Sequence, residues 1–340
     1  MKHQLTVLLL GEVRRSVRGQ IFQRKPLKSA PHYFEISVPN QVIINEDKVD
    51  IDGREVVVQV KGYAPDILVV QTSLEVPNIF DRERISILET HILEHAYEIL
   101  NKNGGKKETS ETYSVFTVSG YEGDPDQFFV NADIIASLLK SEKLKLDPDE
   151  VNYTLAAQIK YAENDATIID WDGAFIFDPE GDVEATIELL TLANLQLLRY
   201  RILDRQLDER LEHMADLVKI PQSKFSFRAN PQLKENLKKA LKHRMESVTS
   251  FRTVEREIKL IGDWYSARIY DIATKKFKIS EWRNLLKEKM EAIEGIYSIF
   301  IENFTLSSKD RAEFLQIILF FILQIGWLVL IILEFQYFTK

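Results

Sequence analysis

The sequence predicts an α+β protein with three parts: a mainly antiparallel, sandwich-like N-terminal α/β domain, a three-helix antiparallel stalk and one C-terminal transmembrane helix. Three observations lead to this prediction. Short apolar runs between turn residues fill the first 180 positions, long stretches with helical apolar spacing follow, and an uncharged apolar run comes last. The expected boundaries are 1–181, 182–311 and 312–336.

Within the first part, apolar runs bounded by Gly, Pro, Asn or Asp predict strands, with a hairpin punctuated by Asn45–Asp47 and Asp52-Gly53. Two helices interrupt them, at residues 81–101 and 127–140, because apolar residues there recur at helical spacing. The predicted strands are Gln4–Leu10, Tyr33–Val38, Glu55–Val60, Ile67–Gln71, Tyr113–Ser119, Thr154–Tyr161, Ala166–Asp170 and Ala174–Phe177.

The second part reads as helix almost throughout. Asp182 suits the N-cap of a first helix over 182–218, and Pro231 suits the first position of a second over 231–273, in which Gly262 is a candidate bend. A third helix starts near Ser280, covers 280–311 and continues into the apolar run. Long amphipathic helices need partners for their second apolar faces, so we expect a homo-oligomer.

The apolar run Phe314–Leu333 is twenty residues long and uncharged, which is enough to cross the hydrocarbon core of a bilayer. The alternative is a buried core helix. Six residues follow Glu334, which predicts a tail anchor. Lys309 and Arg311 precede the run, whereas Lys340 alone follows it, so the bulk of the chain is expected in the cytoplasm or an organelle matrix.

Charge and composition exclude several classes of function. The net charge is −8 overall, −12 for residues 1–182 and +5 for residues 183–311, so the acidic front part argues against nucleic-acid binding. No cysteine is present, which excludes disulfides and thiolate chemistry. No phosphate loop, dinucleotide fingerprint or nucleophile elbow occurs, so we expect no catalytic residue, no cofactor and no enzyme.

Acidic residues crowd the segment that ends the first part: Asp165, Asp170, Asp172, Asp178, Glu180 and Asp182. Strand geometry places Asp170 and Asp172 on one face, which makes them weak candidates for Mg²⁺ or Ca²⁺ ligands. A hydrolase using these two carboxylates is a further alternative. The competing interpretation is turn chemistry, a helix cap and solvated charges. His91 and His95, four residues apart, are a second possible ligand pair, with a partly exposed pair as the alternative.

A basic stripe in the second helix suggests contact with lipid. The third helix starts near Ser280 and is expected to enter the bilayer near Ala312. Counting the same number of residues back from Ala273, at the end of the antiparallel second helix, places Leu241 beside Ala312, at the level of the lipid headgroups. A solvated helix face is the alternative. The residues expected to contact headgroups are Lys234, Lys238, Lys239, Lys242 and Arg244, and those expected to dip into the interface are Phe225, Phe227 and Arg228.

Inside the apolar run, Gln316 and Gln324 are the polar interruptions, and they could join helices or face a pore. The residues expected to line such a contact or pore are Gln316, Phe320, Leu323, Trp327 and Leu330.

Two segments, AFIFDPEGDVEATIELLTLANLQLLRYRILDRQLDERL (Ala174–Leu211) and AEFLQIILFFILQIGWLVLIILEF (Ala312–Phe335), resemble the "required for meiotic nuclear division" type family. That resemblance implies a tail-anchored protein with an α/β front and a helical region, and it implies no established reaction. The layout also resembles the CorA magnesium channels, but this chain has one apolar run and no Gly-Met-Asn motif. The expected function is a membrane scaffold or tether. The alternative is a CorA-like divalent-cation channel or sensor.

Overall fold

The computed structural model describes residues 1–13, 20–21, 41–51, 53–218, 231–256 and 264–338. They form two compact units. Unit 1 comprises Met1–Leu203 with Arg252–Leu285, and unit 2 comprises Asp204–Phe251 with Leu286–Lys340. The domain boundaries expected from the sequence stay a prediction. The expected strand Tyr33–Val38 lies outside the described residues.

Unit 1 contains one mixed sheet of nine described strands, in the spatial order β2-β3-β4-β5-β1-β6-β9-β8-β7. Of the adjacent pairs, β6 and β9 run parallel and the others antiparallel, which confirms a mainly antiparallel sheet. The strands are β1 (Lys2–Val13), β2 (Gln20–Ile21), β3 (Gln41–Ile51), β4 (Arg54–Tyr63), β5 (Ile67–Val76), β6 (Gly105–Ser119), β7 (Gln158–Ile159), β8 (Ala166–Ile169) and β9 (Gly173–Phe177).

Strand β1 is central because its apolar run from Leu5 to Leu10 is buried on both faces. The predicted β3–β4 hairpin forms, and its turn uses Gly53 at φ +75°. Asn45–Asp47, which was expected to form a turn of that hairpin, lies within β3 instead. The pairing of β3 with β4 shifts register just before it, between Ile43 and Asn45. Gly173 is required where β9 meets β6, since a Cβ there would lie 2.8 Å from the Ser114 carbonyl oxygen.

Four short or medium helical segments of unit 1 connect the strands: α1 (Arg82–Lys102), a 3₁₀ segment (Pro125–Asn131), α2 (Ala132–Leu139) and α3 (Pro148–Leu155). Helix α1 is capped by the Asp81 side chain, which accepts a hydrogen bond from the Arg84 N–H. The expected strand Thr154–Tyr161 is wrong. Helix α3, capped by Asp147 and begun by Pro148, covers Thr154 and Leu155, and within the expected strand only β7 is extended.

The core of unit 1 contains a stack of phenylalanine rings between the sheet and its helices. Phe175, fully buried, has ring centroids of Phe116, Phe177 and Phe80 at 5.1, 5.4 and 5.9 Å. Such offset and stacked pairs add to the free energy gained by burying their area. This cluster fixes β6 and β9 to the loop that precedes α1.

The helices of the second half are α4 (Glu184–Val218), α5 (Pro231–Arg256), α6 (Trp264–Lys276) and α7 (Ile279–Phe338). Helix α4 starts one residue later than the Asp182 cap predicted, with Val183 at the cap position. The single helix expected over 231–273 is described as two helices, and Gly262 lies outside the described residues. Helix α7 is continuous over 60 residues.

Candidate functional site

The most distinctive feature of the chain is an apolar segment of α7. Residues Ala312–Glu334 form 23 helical residues whose most apolar 18-residue stretch has a mean hydropathy of 2.6, and none of them is buried. Trp327 is 72% exposed and Leu330 64%. A monomeric soluble protein rarely leaves so large an apolar surface in water. The chain therefore carries one C-terminal candidate membrane anchor among its described residues. The five side chains expected to line a contact or pore all lie exposed on this segment.

Ion pairs and a hydrogen bond hold three helical segments of unit 2 together. Lys289 of α7 contacts two carboxylates of α4, those of Asp204 and Asp208, the latter at 2.7 Å. Between α4 and α5, the Arg210 guanidinium donates to the Ser247 hydroxyl at 3.0 Å. These polar contacts fix how each segment lies along the next within the unit.

Of the basic residues expected to contact lipid, Arg244 is engaged inside unit 2. Its guanidinium pairs with the Glu294 carboxylate and lies 4.8 Å from the centroid of the Tyr297 ring. Lys238, Lys239 and Lys242 are exposed on α5. The Lys234 side chain and the residues Phe225, Phe227 and Arg228 lie outside what the structure describes.

The Arg244–Glu294 pair also sets the register of α5 against α7, and it differs from the register expected above. From Glu294, Ala312 is about 27 Å further along α7, whereas Pro231 is only about 20 Å from Arg244 along α5. Leu241 therefore lies well short of Ala312. The expectation counted back from Ala273, which belongs to the separate helix α6.

In unit 1, Asp170 is the centre of a buried ion-pair network. Its side chain is 5% exposed and contacts the ammonium groups of Lys140 at 3.0 Å and Lys276 at 3.2 Å. Lys140 also reaches Glu150 at 2.8 Å, and the Asp170 carboxylate accepts the Trp171 N–H. Lys140, which directly follows α2, and Lys276, the last residue of α6, thus neutralise this carboxylate, and the network accounts for Asp170 without a metal ion.

Two other acidic residues of the same segment, Asp165 and Asp178, stabilise turns. The Asp165 carboxylate accepts N–H groups of Tyr161 and Ala162 at 2.7 and 3.1 Å, and Asp178 accepts those of Glu180 and Gly181 at 3.0 and 2.9 Å. No group of three or more His, Asp or Glu side chains that could hold a metal occurs in the described ranges. His91 and His95 are half-buried on α1, and His95 lies 4.0 Å from Glu98.

Beside this network, a cleft of about 380 Å³ separates α1 from the end of α2. It is lined by Arg82, Glu83, Ser86, Ile87, Glu89, Ser137, Leu138, Ser141, Glu142 and Lys143. Burial, which outweighs an opposing hydrogen bond with the Ser114 hydroxyl, and the charge of nearby Asp172 together raise the pKa of Glu89 to about 7. Burial and Asp170 also raise the pKa of Asp172. A carboxyl group that changes charge near neutral pH lies in a cleft here.

Replacing Glu89 by Gln is expected to change how the stability of unit 1 depends on pH. The folded-state pKa lies above the unfolded value of 4.5, so Glu89 stabilises the fold fully below pH 4.5 and loses this contribution as the pH rises to about 7. Glu89→Gln should therefore be more stable than the parent at pH 8 by about 2 kcal/mol, which is less than the full pKa difference implies because the Glu89 side chain is partly exposed to water. Urea unfolding at pH 5 and pH 8 measures this, with Glu83→Gln as the exposed control. Equal pH slopes in parent and Glu89→Gln would contradict the expectation.

The sequence does not single out Glu89. It follows Leu88 on α1 and lies at the border of the apolar stripe formed by Ile85, Leu88 and Ile92, where a charged residue usually reaches solvent. The only available signal was this border position. Its partners Ser114 and Asp172 are too distant in sequence for spacing to connect them.

Comparison with known proteins gives one family. A family model described as "Uncharacterized protein MJ0711, N-terminal domain" matches residues 8–184. The chain is similar to Uncharacterized protein MJ0711 of Methanocaldococcus jannaschii, with 26% identity over 306 residues that cover 89% of each chain. The similarity therefore reaches beyond the matched domain into the helical part. No solved structure matches the chain.

Proposed function

Because the chain belongs to the MJ0711 N-terminal domain family, whose description names no function, we propose a role from its own residues: a non-enzymatic, homo-oligomeric scaffold or tether held at a membrane by α7. The observation that carries this proposal is the 23-residue, wholly exposed apolar segment of α7. Membrane anchorage agrees with the resemblance to the meiotic-division type family, which itself stays a prediction.

In this proposal α4, α5 and α7 form the three-helix antiparallel stalk. The contacts within unit 2 support it. Asp208 and Lys289 join α4 to α7, Arg210 and Ser247 join α4 to α5, and the rings of His213 and His243 stack at 6.2 Å one turn further on. As residue numbers rise along α4 they fall along α5, as expected for antiparallel neighbours. The stalk carries the bulk of the chain on the cytoplasmic or matrix side, where Lys309 and Arg311 lie.

The same proposal includes lipid contact by basic residues of α5, but only by those near the start of this helix. By the Arg244 register, the start of α5 at Pro231 comes within about 8 Å of the level of Ala312, and Lys234 is the basic residue of α5 nearest to it. Lys242 lies roughly 24 Å from that level, which exceeds the screening length of about 8 Å in physiological salt. Any attraction to anionic headgroups is therefore expected at the Pro231 end of the helix.

Membrane extraction tests the anchor. The full chain, expressed in a bacterial host, should remain in the membrane pellet after alkaline carbonate treatment. Leu323→Arg with Leu330→Arg should move most of it out of the pellet, because each arginine costs about 3 kcal/mol near the bilayer centre. Leu323→Ala with Leu330→Ala is the matched control and should stay in the pellet. Release of the unmodified chain by carbonate would refute the anchor.

The CorA-like channel remains the alternative, and no described contact favours it over a scaffold. Purified full chain in proteoliposomes should give no Mg²⁺ or Co²⁺ flux above that of empty vesicles. Reproducible flux that the Leu323→Arg, Leu330→Arg variant lacks would replace the scaffold by the channel.

A further inference from the structure

The apolar segment of α7 contains two amides that the hydrocarbon cannot satisfy. Gln316 and Gln324 are the polar side chains of Phe314–Leu333, and both are exposed on the helix. An amide placed in hydrocarbon without a hydrogen-bond partner costs several kcal/mol. Among the described residues α7 supplies the one candidate span, so no second span of the described chain can offer a partner.

The two amides share one face of the helix with the largest side chain of the segment. Successive residues turn by about 100°, so Gln324 lies about 80° from Gln316, with Trp327 and Phe320 between them at about 20° and 40°. Leu323 and Leu330 extend this face by roughly 40° on the other side. The opposite face is apolar throughout and suits lipid chains, and its centre is formed by Ile318, Ile325 and Val329.

We propose that this face, composed of Gln316, Phe320, Leu323, Gln324, Trp327 and Leu330, binds the same face of a second copy of this chain. The inference rests on the proposed function, because it requires α7 to span a membrane. Each Gln amide has both donors and an acceptor, so it is complementary to its own copy. A second copy inserted in the same orientation brings that amide to the same depth, which a helix of unrelated sequence does not guarantee.

Cysteine cross-linking of the full chain tests the face, since the sequence has no cysteine to interfere. Leu323→Cys lies on the proposed face, and Ile325→Cys lies on the opposite one. In membranes treated with a mild oxidant, Leu323→Cys should form disulfide-linked dimers at least tenfold faster than Ile325→Cys. Equal rates at the two positions would overturn the proposed face.

The role of the amides is tested by adding Gln316→Leu and Gln324→Leu to Leu323→Cys. Interhelical hydrogen bonds contribute about 0.6–1.7 kcal/mol each, so dimerisation at low protein-to-lipid ratio should weaken by roughly tenfold. Adding Ile318→Leu and Ile325→Leu instead is the matched control and should leave the rate unchanged.

The outcomes separate the inference from the function on which it rests. Unchanged cross-linking in the Gln→Leu variant, with the protein still resistant to carbonate, would overturn the amide pairing and leave the anchor standing. Release of the parent Leu323→Cys chain by carbonate would instead refute the anchor itself.

Discussion

Replacing Phe175 by Ala is expected to destabilise unit 1 by about 4 kcal/mol, the largest effect of any single change considered for this chain. Phe175 is fully buried, and its ring contacts those of Phe80, Phe116 and Phe177. Removing it leaves a cavity that three aromatic rings on two strands and a loop cannot close together. The cost therefore includes lost contacts as well as lost burial.

Pulse proteolysis in increasing urea measures this change on the full chain. Phe175→Leu keeps most of the volume and should lose less than half as much stability. Val130→Ala, at a side chain that is 84% exposed, is the control and should be indistinguishable from the parent. An unfolding midpoint for Phe175→Ala close to that of Val130→Ala would contradict the described core.

Removal of the Asp170 carboxylate is expected to cost about 3 kcal/mol, because it leaves two lysine ammonium groups close together without their shared counter-charge. Lys140 and Lys276 are 23% and 15% exposed, so water compensates only part of the loss. Asp170→Ala should also lose the hydrogen bond from the Trp171 N–H.

Comparison with Asp170→Asn separates these two contributions. The Asn side chain can still accept the Trp171 N–H but carries no charge, so its loss of stability should fall between those of the parent and Asp170→Ala. Adding Lys276→Met to Asp170→Ala should recover part of the loss, because it removes an ammonium group that the Asp170 carboxylate had neutralised, whereas Lys140 keeps its ion pair with Glu150. If Asp170→Ala unfolds within about 0.5 kcal/mol of the parent, the site behaves as a surface ion pair and the network assignment fails.

The sequence predicts much of this architecture because its signals are local. Strand β1, helix α1 and the apolar segment of α7 each follow from runs or periods of apolar residues. The strand expected over Thr154–Tyr161 is wrong because the helix that Asp147 caps and Pro148 begins extends to Leu155. The N-terminal cap of α3 therefore determines that the start of this segment is helical.

The site residues were harder to predict because their partners are distant along the chain. Asp170 was expected as a metal candidate, and nothing near it in sequence indicates Lys140 or Lys276. The same holds for Arg244, whose partners Glu294 and Tyr297 lie two helices away. Composition supplies the charges, but only the folded chain decides which of them are neutralised.

The placement of β1 has a consequence for how unit 1 reaches its native state. Leu8 in this central strand pairs with Gln71 of β5 on one side and with Tyr113 of β6 on the other. Strand β6 in turn pairs with β9, which contains Phe175. During synthesis, β1 emerges long before any of these partners. Contacts so distant along the chain slow folding, because loop-closure entropy is lost before they form. The apolar strand β1 therefore lacks one of its two neighbours until the ribosome has synthesised the chain past Ser119, and we expect chaperones to shield it until then.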